Sequence, residues 1–157
     1  MGRVWITTGS TTFDAIVNPI TAACQQGYVP DTVLLLENPG VSDVVDRAVG
    51  TIAETIGAYG TDDPEVDITT LDTETAFEEV LAHLTDGIRT ARDAGDAVAV
   101  DITPGRKFMS AIAFAAGMRY DADHVFYLYM DPPSYYGRSY AEIPRTGTTL
   151  YDFTEEL

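Results

Sequence analysis

The fold turns on the stretch Ala97-Val98-Ala99-Val100-Asp101-Ile102-Thr103-Pro104-Gly105-Arg106-Lys107-Phe108-Met109-Ser110. Its first part, Ala97 to Ile102, is a short apolar run of the kind that forms a strand buried on both faces. The residues after Ile102 carry the signals of a helix start. Thr103 can cap, and Pro104 fits the first helical position, where its missing N–H costs nothing. The spacing predicts a helix from about Pro104 to Arg119. Gly105 admits close approach of a ligand to the backbone, and the free N–H groups of the first turn, with Arg106 and Lys107 beside them, make a compact anion site. In an open α/β sheet ligands bind at this carboxyl edge of the strands.

The same alternation recurs on either side of that stretch. Val4 to Thr8 reads as a buried strand, followed by the glycine and hydroxyl cluster Gly9-Ser10-Thr11-Thr12 and a helix with Ile16, Ile20, Ala23 and Cys24 at helical spacing. Pro19 fits best at a first helical position after Asn18, or else it kinks a longer helix. Thr32 to Glu37 is a second strand, ended by Asn38-Pro39-Gly40. Val41, Val44, Val45, Ala48, Ile52 and Ile56 then share one helix face. A third strand, Val66 to Thr70, precedes an amphipathic stripe of Phe77, Val80, Leu81, Leu84, Ile88 and Ala91. Asp72 and Glu74 stand before that stripe, Arg89 and Arg92 near its end, and Gly95 is the stop. Val125 to Met130 is the fifth strand. The expected class is α/β, a Rossmann-like, mostly parallel sheet with helices on both faces. After Asp131-Pro132-Pro133 the pattern breaks into a loop leading to an irregular strand pair rich in tyrosine (Tyr135, Tyr136, Tyr140, Tyr151). That segment reads as an edge hairpin, with ligand stacking or a dimer interface as alternatives.

The 157 residues, 45% of them hydrophobic, suffice for one core, so residues 1–157 are read as a single domain. There are 25 acidic residues against nine Lys+Arg, a formal net charge of −16. Eight of the nine cations are arginine, Lys107 being the one lysine. Such a surface looks like adaptation to high salt, and it disfavours duplex DNA as a partner, because phosphate-neutralising cations are scarce. The charge is uneven. Residues 37 to 96 hold fifteen acids and three arginines, whereas residues 101 to 145 hold five acids and five cations. The second stretch is the relatively positive part of the molecule, and it contains the turn quoted above. A lysine used once, beside the best anion site, favours a phosphate-gripping role over a merely solvated one.

No run of about 18 apolar residues suggests a membrane span. The start lacks the features of a signal peptide, and one cysteine, Cys24, permits no intrachain disulfide. The sequence thus reads as cytoplasmic, with Cys24 in the core. His83 and His124 have no third ligand at metal spacing, so no metal site is expected. Neither a Gly-x-Gly-x-x-Gly nor a Gly-x-x-x-x-Gly-Lys-Ser/Thr motif occurs. Asp101, at the strand end, either organises the loop by hydrogen bonding or acts on a substrate. The final Thr154-Glu155-Glu156-Leu157 shows no linker, which favours a natural end.

Strand, Asp-x-Thr-Pro-Gly-x-Lys at 101–107, then an apolar helix resembles the signature of CARF domains, the CRISPR-associated Rossmann-fold sensors of cyclic oligoadenylate. Ile6-Thr7-Thr8-Gly9-Ser10-Thr11 is similar to their first strand and polar loop. Pro104 departs from the glycine common at that position. The resemblance implies a homodimer whose loops face one another across a two-fold axis, matching a cyclic ligand of repeated units. Cyclic tetra-adenylate is the commonest ligand implied, the hexa-adenylate second. It further implies that Gly9, Ser10, Thr11 and Thr12 line the ligand, that the backbone from Thr103 through Pro104 and Gly105 to Arg106 cradles phosphate, and that Lys107 holds phosphate or the ring centre. No cofactor is implied. A single domain of this type, without room for an effector module, is most simply a metal-independent ring nuclease, with Lys107 and Ser10 in the catalytic roles. The alternative is a non-catalytic sensor or sink that passes the signal to a separate effector protein. A third reading is a Rossmann-like domain for some other nucleotide.

Overall fold

The computed structural model describes residues 1–157. Strands β1 (Arg3–Thr8), β2 (Thr32–Glu37), β3 (Glu65–Thr70), β4 (Ala97–Asp101) and β5 (His124–Met130) alternate with helices α1 (Phe13–Gln25), α2 (Ser42–Ala58), α3 (Phe77–Asp93) and α4 (Lys107–Arg119). Three short 3-10 turns lead from β5 to β6 (Thr148–Asp152) and a terminal turn, α5 (Phe153–Glu156). The sheet order is β3-β2-β1-β4-β5-β6, with the first five strands parallel and β6 antiparallel to β5. This is the expected Rossmann-like class with its C-terminal antiparallel pair. The chain reverses its direction of travel between β1 and β4, so the crevice beyond their carboxyl ends is the topological switch point.

Strand alternation divides the interior into two cores. In β1, Trp5 points to one face and Val4 and Ile6 to the other, because successive side chains alternate across a sheet. Trp5, Val33, Leu35, Ala99 and Phe126 pack under α1 and α2, against Ile16, Ile20, Val45, Ala48, Ile52 and Ile56. Val4, Ile6, Leu36, Val98, Val100 and Val125 pack under α3 and α4, against Val80, Leu84, Ile88, Met109, Ala113 and Ala116. Gly117 sets the approach of α4 to the sheet, since a Cβ there would lie 2.8 Å from a Val125 methyl. Cys24 is core, as expected, and burial pushes its thiol up to about 11.

The structure departs from the sequence reading at several points. Helix α4 begins at Lys107, three residues after Pro104, and Arg106 occupies its N-cap. Gly105 has φ +92°, a left-handed conformation that no helix residue adopts, so Pro104 cannot be the first helical position. Pro19 lies well inside α1 and not at its first position, so the preferred reading fails and the longer helix stands. Phe77 and Leu81, placed in the buried stripe, are 52% and 45% exposed. The ring of Phe77 meets Phe108 edge-on at 5.1 Å instead of the sheet. β3 is an edge strand, largely exposed, and its Glu65 and Asp67 put charge where another strand could otherwise add. No helix is long and apolar enough to cross a membrane.

Because the two cores lie on opposite faces of one sheet, losses in them should add. Ile52→Ala and Ile88→Ala are each expected to cost ~2–5 kcal/mol in urea unfolding. The double variant should equal their sum within ~0.5 kcal/mol, and a clear departure would mean that the faces are coupled through the strands.

Candidate ligand cleft at the strand-order switch

The carboxyl edge of β1 and β4 is fixed by hydrogen bonds within the chain. Thr7 and Asp101 fall opposite each other, one step beyond the Ile6–Val100 pair, and the Thr7 hydroxyl donates to Asp101 Oδ2 at 3.1 Å. Asp101 Oδ1 accepts from the Thr103 N–H at 2.9 Å, closing an Asx turn two residues on. Asp101 is 1% exposed, and desolvation raises its carboxyl to about 7 against the three hydrogen bonds that oppose it. It therefore organises the loop, one of its two expected roles. Thr103 does not cap α4, because its Oγ1 accepts from the Leu128 N–H of β5 at 3.0 Å.

The remaining bonds shape the turn itself. The Thr8 hydroxyl donates to the Pro104 carbonyl at 3.1 Å, and Ser110 Oγ donates to Ile102 O at 2.8 Å. A Cβ on Gly105 would stand 2.5 Å from Thr8 Oγ1, so glycine is required here twice, by φ and by contact with β1. Arg106 O accepts the first amide bonds of α4, from Met109 and Ser110, leaving the N–H groups before them free of intrahelical partners. On the β1 side, Gly9 N donates to Leu36 O at 2.6 Å, which turns the loop over the end of β2. Ser10 Oγ then accepts from the Thr12 N–H at 3.1 Å.

These loops enclose a cleft of about 270 Å³ lined by Gly9, Ser10, Thr11, Asn38, Pro39, Gly40, Val41, Glu74, Gly105 and Arg106. Five of the nine residues singled out in the sequence, Gly9, Ser10, Thr11, Gly105 and Arg106, are brought together here. Thr12, Thr103, Pro104 and Lys107 are not in its wall. Thr12 is the exposed N-cap of α1, Thr103 is turned to β5, and Pro104 is buried behind the turn. Lys107 is exposed at the first position of α4. Arg106, expected as a free cation, is ion-paired with Glu74 at 2.8 Å, both side chains being substantially exposed. Sequence reasoning misses the wall formed by Asn38, Pro39, Gly40 and Val41, since Asn38-Pro39-Gly40 reads only as the end of β2 and Val41 as part of a helix face. The available signal was topological, since any loop leaving the carboxyl end of the strand beside β1 must border the crevice.

Other titratable groups stand apart from the cleft. His83 on α3 is within 3.1 Å of the Thr7 carbonyl through Nε2, and burial lowers its pKa. His124 pairs with Asp152 at 2.7 Å, a bond that helps hold the Asp152 carboxyl below its ordinary value. No group of three or more His, Cys, Asp or Glu residues is arranged to hold a metal ion.

Fold and crevice together define a Rossmann-like α/β domain with its polar cleft at the switch point. The chain belongs to the family of CRISPR-associated protein NE0113, whose family model matches residues 57–151. That membership bears out the resemblance to CRISPR-associated Rossmann-fold domains. Solved structures that share the fold include these three. Can2 from Sulfobacillus thermosulfidooxidans, in complex with cyclic tetra-adenylate, matches with a TM-score of 0.54 and 15% identity over 80% of this chain and 31% of its own. A type III CRISPR defence DNA nuclease activated by cyclic oligoadenylate matches with a TM-score of 0.60 and 21% identity over 83% of this chain and 19% of its own. Enterococcus italicus Csm6, bound to cyclic hexa-2′-fluoro-hexa-dAMP, gives 0.60 and 13% over 84% and 34%. The chain thus spans between 19% and 34% of these proteins. No curated protein matches it in sequence.

The burial of Asp101 has a consequence for stability. Its folded pKa lies above its ordinary value of 3.8, so the folded state binds the extra proton between about pH 4 and pH 7. The contribution of Asp101 is present in full below pH 4 and is lost as pH rises through 7. Compared with Asp101→Asn, the wild type should lose up to ~4 kcal/mol across that window and then run parallel to the variant. Urea unfolding of both at a series of pH values measures the difference, which a constant offset would contradict.

Proposed function

We propose that the protein binds a cyclic oligoadenylate second messenger, cyclic tetra-adenylate first, in type III CRISPR antiviral signalling. The observation that carries this reading is the convergence of Gly9-Ser10-Thr11 and Gly105-Arg106 on one cleft at the β1/β4 switch point. Membership of a CRISPR-associated family and the fold shared with Can2 and Csm6 support it. At about 270 Å³ the cleft falls just below the ~300–1,000 Å³ of pockets that enclose a drug-sized ligand. It suits one nucleotide unit, so engaging two units of a ring at equivalent positions requires a second copy of the cleft. A homodimer with the loops of both copies facing a shared two-fold axis meets that requirement.

In this reading the chain is a ring nuclease. The ribose 2′-oxygen bonds to its own phosphorus as the bond to the 5′-oxygen breaks, the 2′-hydroxyl proton passing to the leaving oxygen. The product is linear, with a 2′,3′-cyclic phosphate at one end and a 5′-hydroxyl at the other. Ser10, in the cleft wall, orients the attacking hydroxyl. Backbone N–H groups at Gly105 to Lys107 stabilise the charge on phosphorus, and Lys107 reaches the phosphates from the rim. One observation favours the second reading, a sensor or sink that binds without turnover and signals to a separate effector protein. The sole carboxylate of the cleft, Glu74, is held by Arg106 and is a poor candidate for a base.

Incubation with labelled cyclic tetra- and hexa-adenylate in high salt and chelator, resolving bound from cleaved species, tests both readings. Cleavage is expected, with Lys107→Ala and Ser10→Ala each slower by about 10²-fold or more. Tight binding without products would establish the sensor, and no binding to either ring would overturn the proposal.

A further inference from the structure

Asn38 ends β2 and, with Pro39 and Gly40, forms the wall of the cleft opposite Gly105 and Arg106. It is 6% exposed, yet Oδ1 is enclosed without any hydrogen-bond partner. Buried amides are ordinarily satisfied, because an unpaired polar atom away from water is costly. The chain's other buried asparagine follows that rule. Asn18 Nδ2 donates to Arg138 O at 2.8 Å, and its Oδ1 accepts from the Tyr140 N–H at 2.9 Å. An enclosed amide oxygen left unpaired beside a ligand cleft is therefore a group lacking its partner.

The chemistry of the partner follows from the chemistry of the amide. An oxygen acceptor beside an NH₂ donor is a poor match for phosphate, which offers acceptors alone. A single ribose hydroxyl would engage one end of it. Adenine presents an N6 amino donor next to the N7 acceptor, and an asparagine pairs with that edge through both ends. The cleft also supplies the exposed ring of Pro39 beside Asn38 for the face of a base.

We propose that Asn38 is the base-reading residue of the cleft, accepting from adenine N6 and donating to N7, while the phosphate lies toward Gly105 and Arg106. This rests on the cyclic oligoadenylate reading above. On binding, the amide turns its edge into the cleft and both of its ends gain partners. In the dimer the two copies of Asn38 read two of the four bases of a tetra-adenylate ring.

The test uses the whole chain with two probes, cyclic tetra-adenylate and the same ring built from 7-deaza-adenosine, which replaces N7 with C–H and leaves the Watson–Crick edge untouched. Wild type should bind the 7-deaza ring roughly 5- to 150-fold more weakly. Asn38→Ala should lose a similar factor for the natural ring and no longer distinguish the two. Asn38→Asp keeps the size of the side chain and removes the donor to N7. It too should lose the discrimination, which guards against misfolding of the alanine variant. Equal binding of both rings by wild type, or discrimination that survives both substitutions, would overturn the assignment while the ring-binding reading stands. Failure of wild type to bind the natural ring would overturn both.

Discussion

The hydrogen bonds of one sealed carboxylate set the geometry of the functional edge. Asp101 joins β4 to β1 through Thr7 and dictates the turn after β4 through the Thr103 amide. From that turn follow the position of Thr103 against β5, the seat of the Pro104 carbonyl on Thr8, and the left-handed Gly105 that delays α4 until Lys107. Remove the carboxylate, and the two central strands lose the side-chain tie that registers their loops. The arrangement carries a cost, because the charged form is desolvated, and its raised pKa measures that cost. That desolvation sits at the switch point, where the fold serves a site.

The fold was readable because its signals are redundant. Five strand-like runs, three helical stripes and the helix-start signal after the fourth strand all agree on one α/β architecture, and binary pattern alone separates the Trp5 face from the Val4–Ile6 face. The site was readable only where chemistry and local sequence coincide, in Gly9-Ser10-Thr11 and Gly105-Arg106. The start of α4 was misplaced because Thr-Pro is a strong local helix-start signal. Tertiary demand overrode it, as Thr103 was required by β5 and Gly105 by Thr8. The pairing of Arg106 with Glu74 joins residues thirty-two apart and left no local trace. Phe77 and Leu81 have the right period for a buried stripe, but period reports the face of a helix and not whether a strand lies beneath it.

Asn38 shows a different limit. In the sequence it belongs to Asn-Pro-Gly, a combination that fully explains itself as a strand terminator. Only the enclosure of its oxygen, contrasted with the fully satisfied Asn18, marks it as more than a turn residue. Turn chemistry and recognition chemistry use the same residue types at the carboxyl ends of parallel strands, so sequence cannot separate them there. Partner accounting can, because it asks where each buried polar group finds its bond.

The charge of the chain bears on how such a cleft can attract an anion. With a formal net charge of −16, the long-range field repels phosphate. The nearest cation in the wall, Arg106, is already engaged by Glu74. In the proposed reading attraction would come from short-range groups, namely the free N–H groups at the start of α4, the hydroxyl of Ser10, and the exposed Lys107 at the first position of that helix. Salt then acts with unusual asymmetry. At about 1 M the Debye length falls to ~3 Å, which removes the repulsive field but leaves contacts at hydrogen-bond distance largely intact. A binder built from basic patches weakens as salt rises, whereas a cleft of backbone donors in an acidic protein is relieved of its main opposition. The acidic surface and the sparing use of lysine are in this view compatible with a phosphate-bearing ligand, provided that the protein works where counterions are abundant.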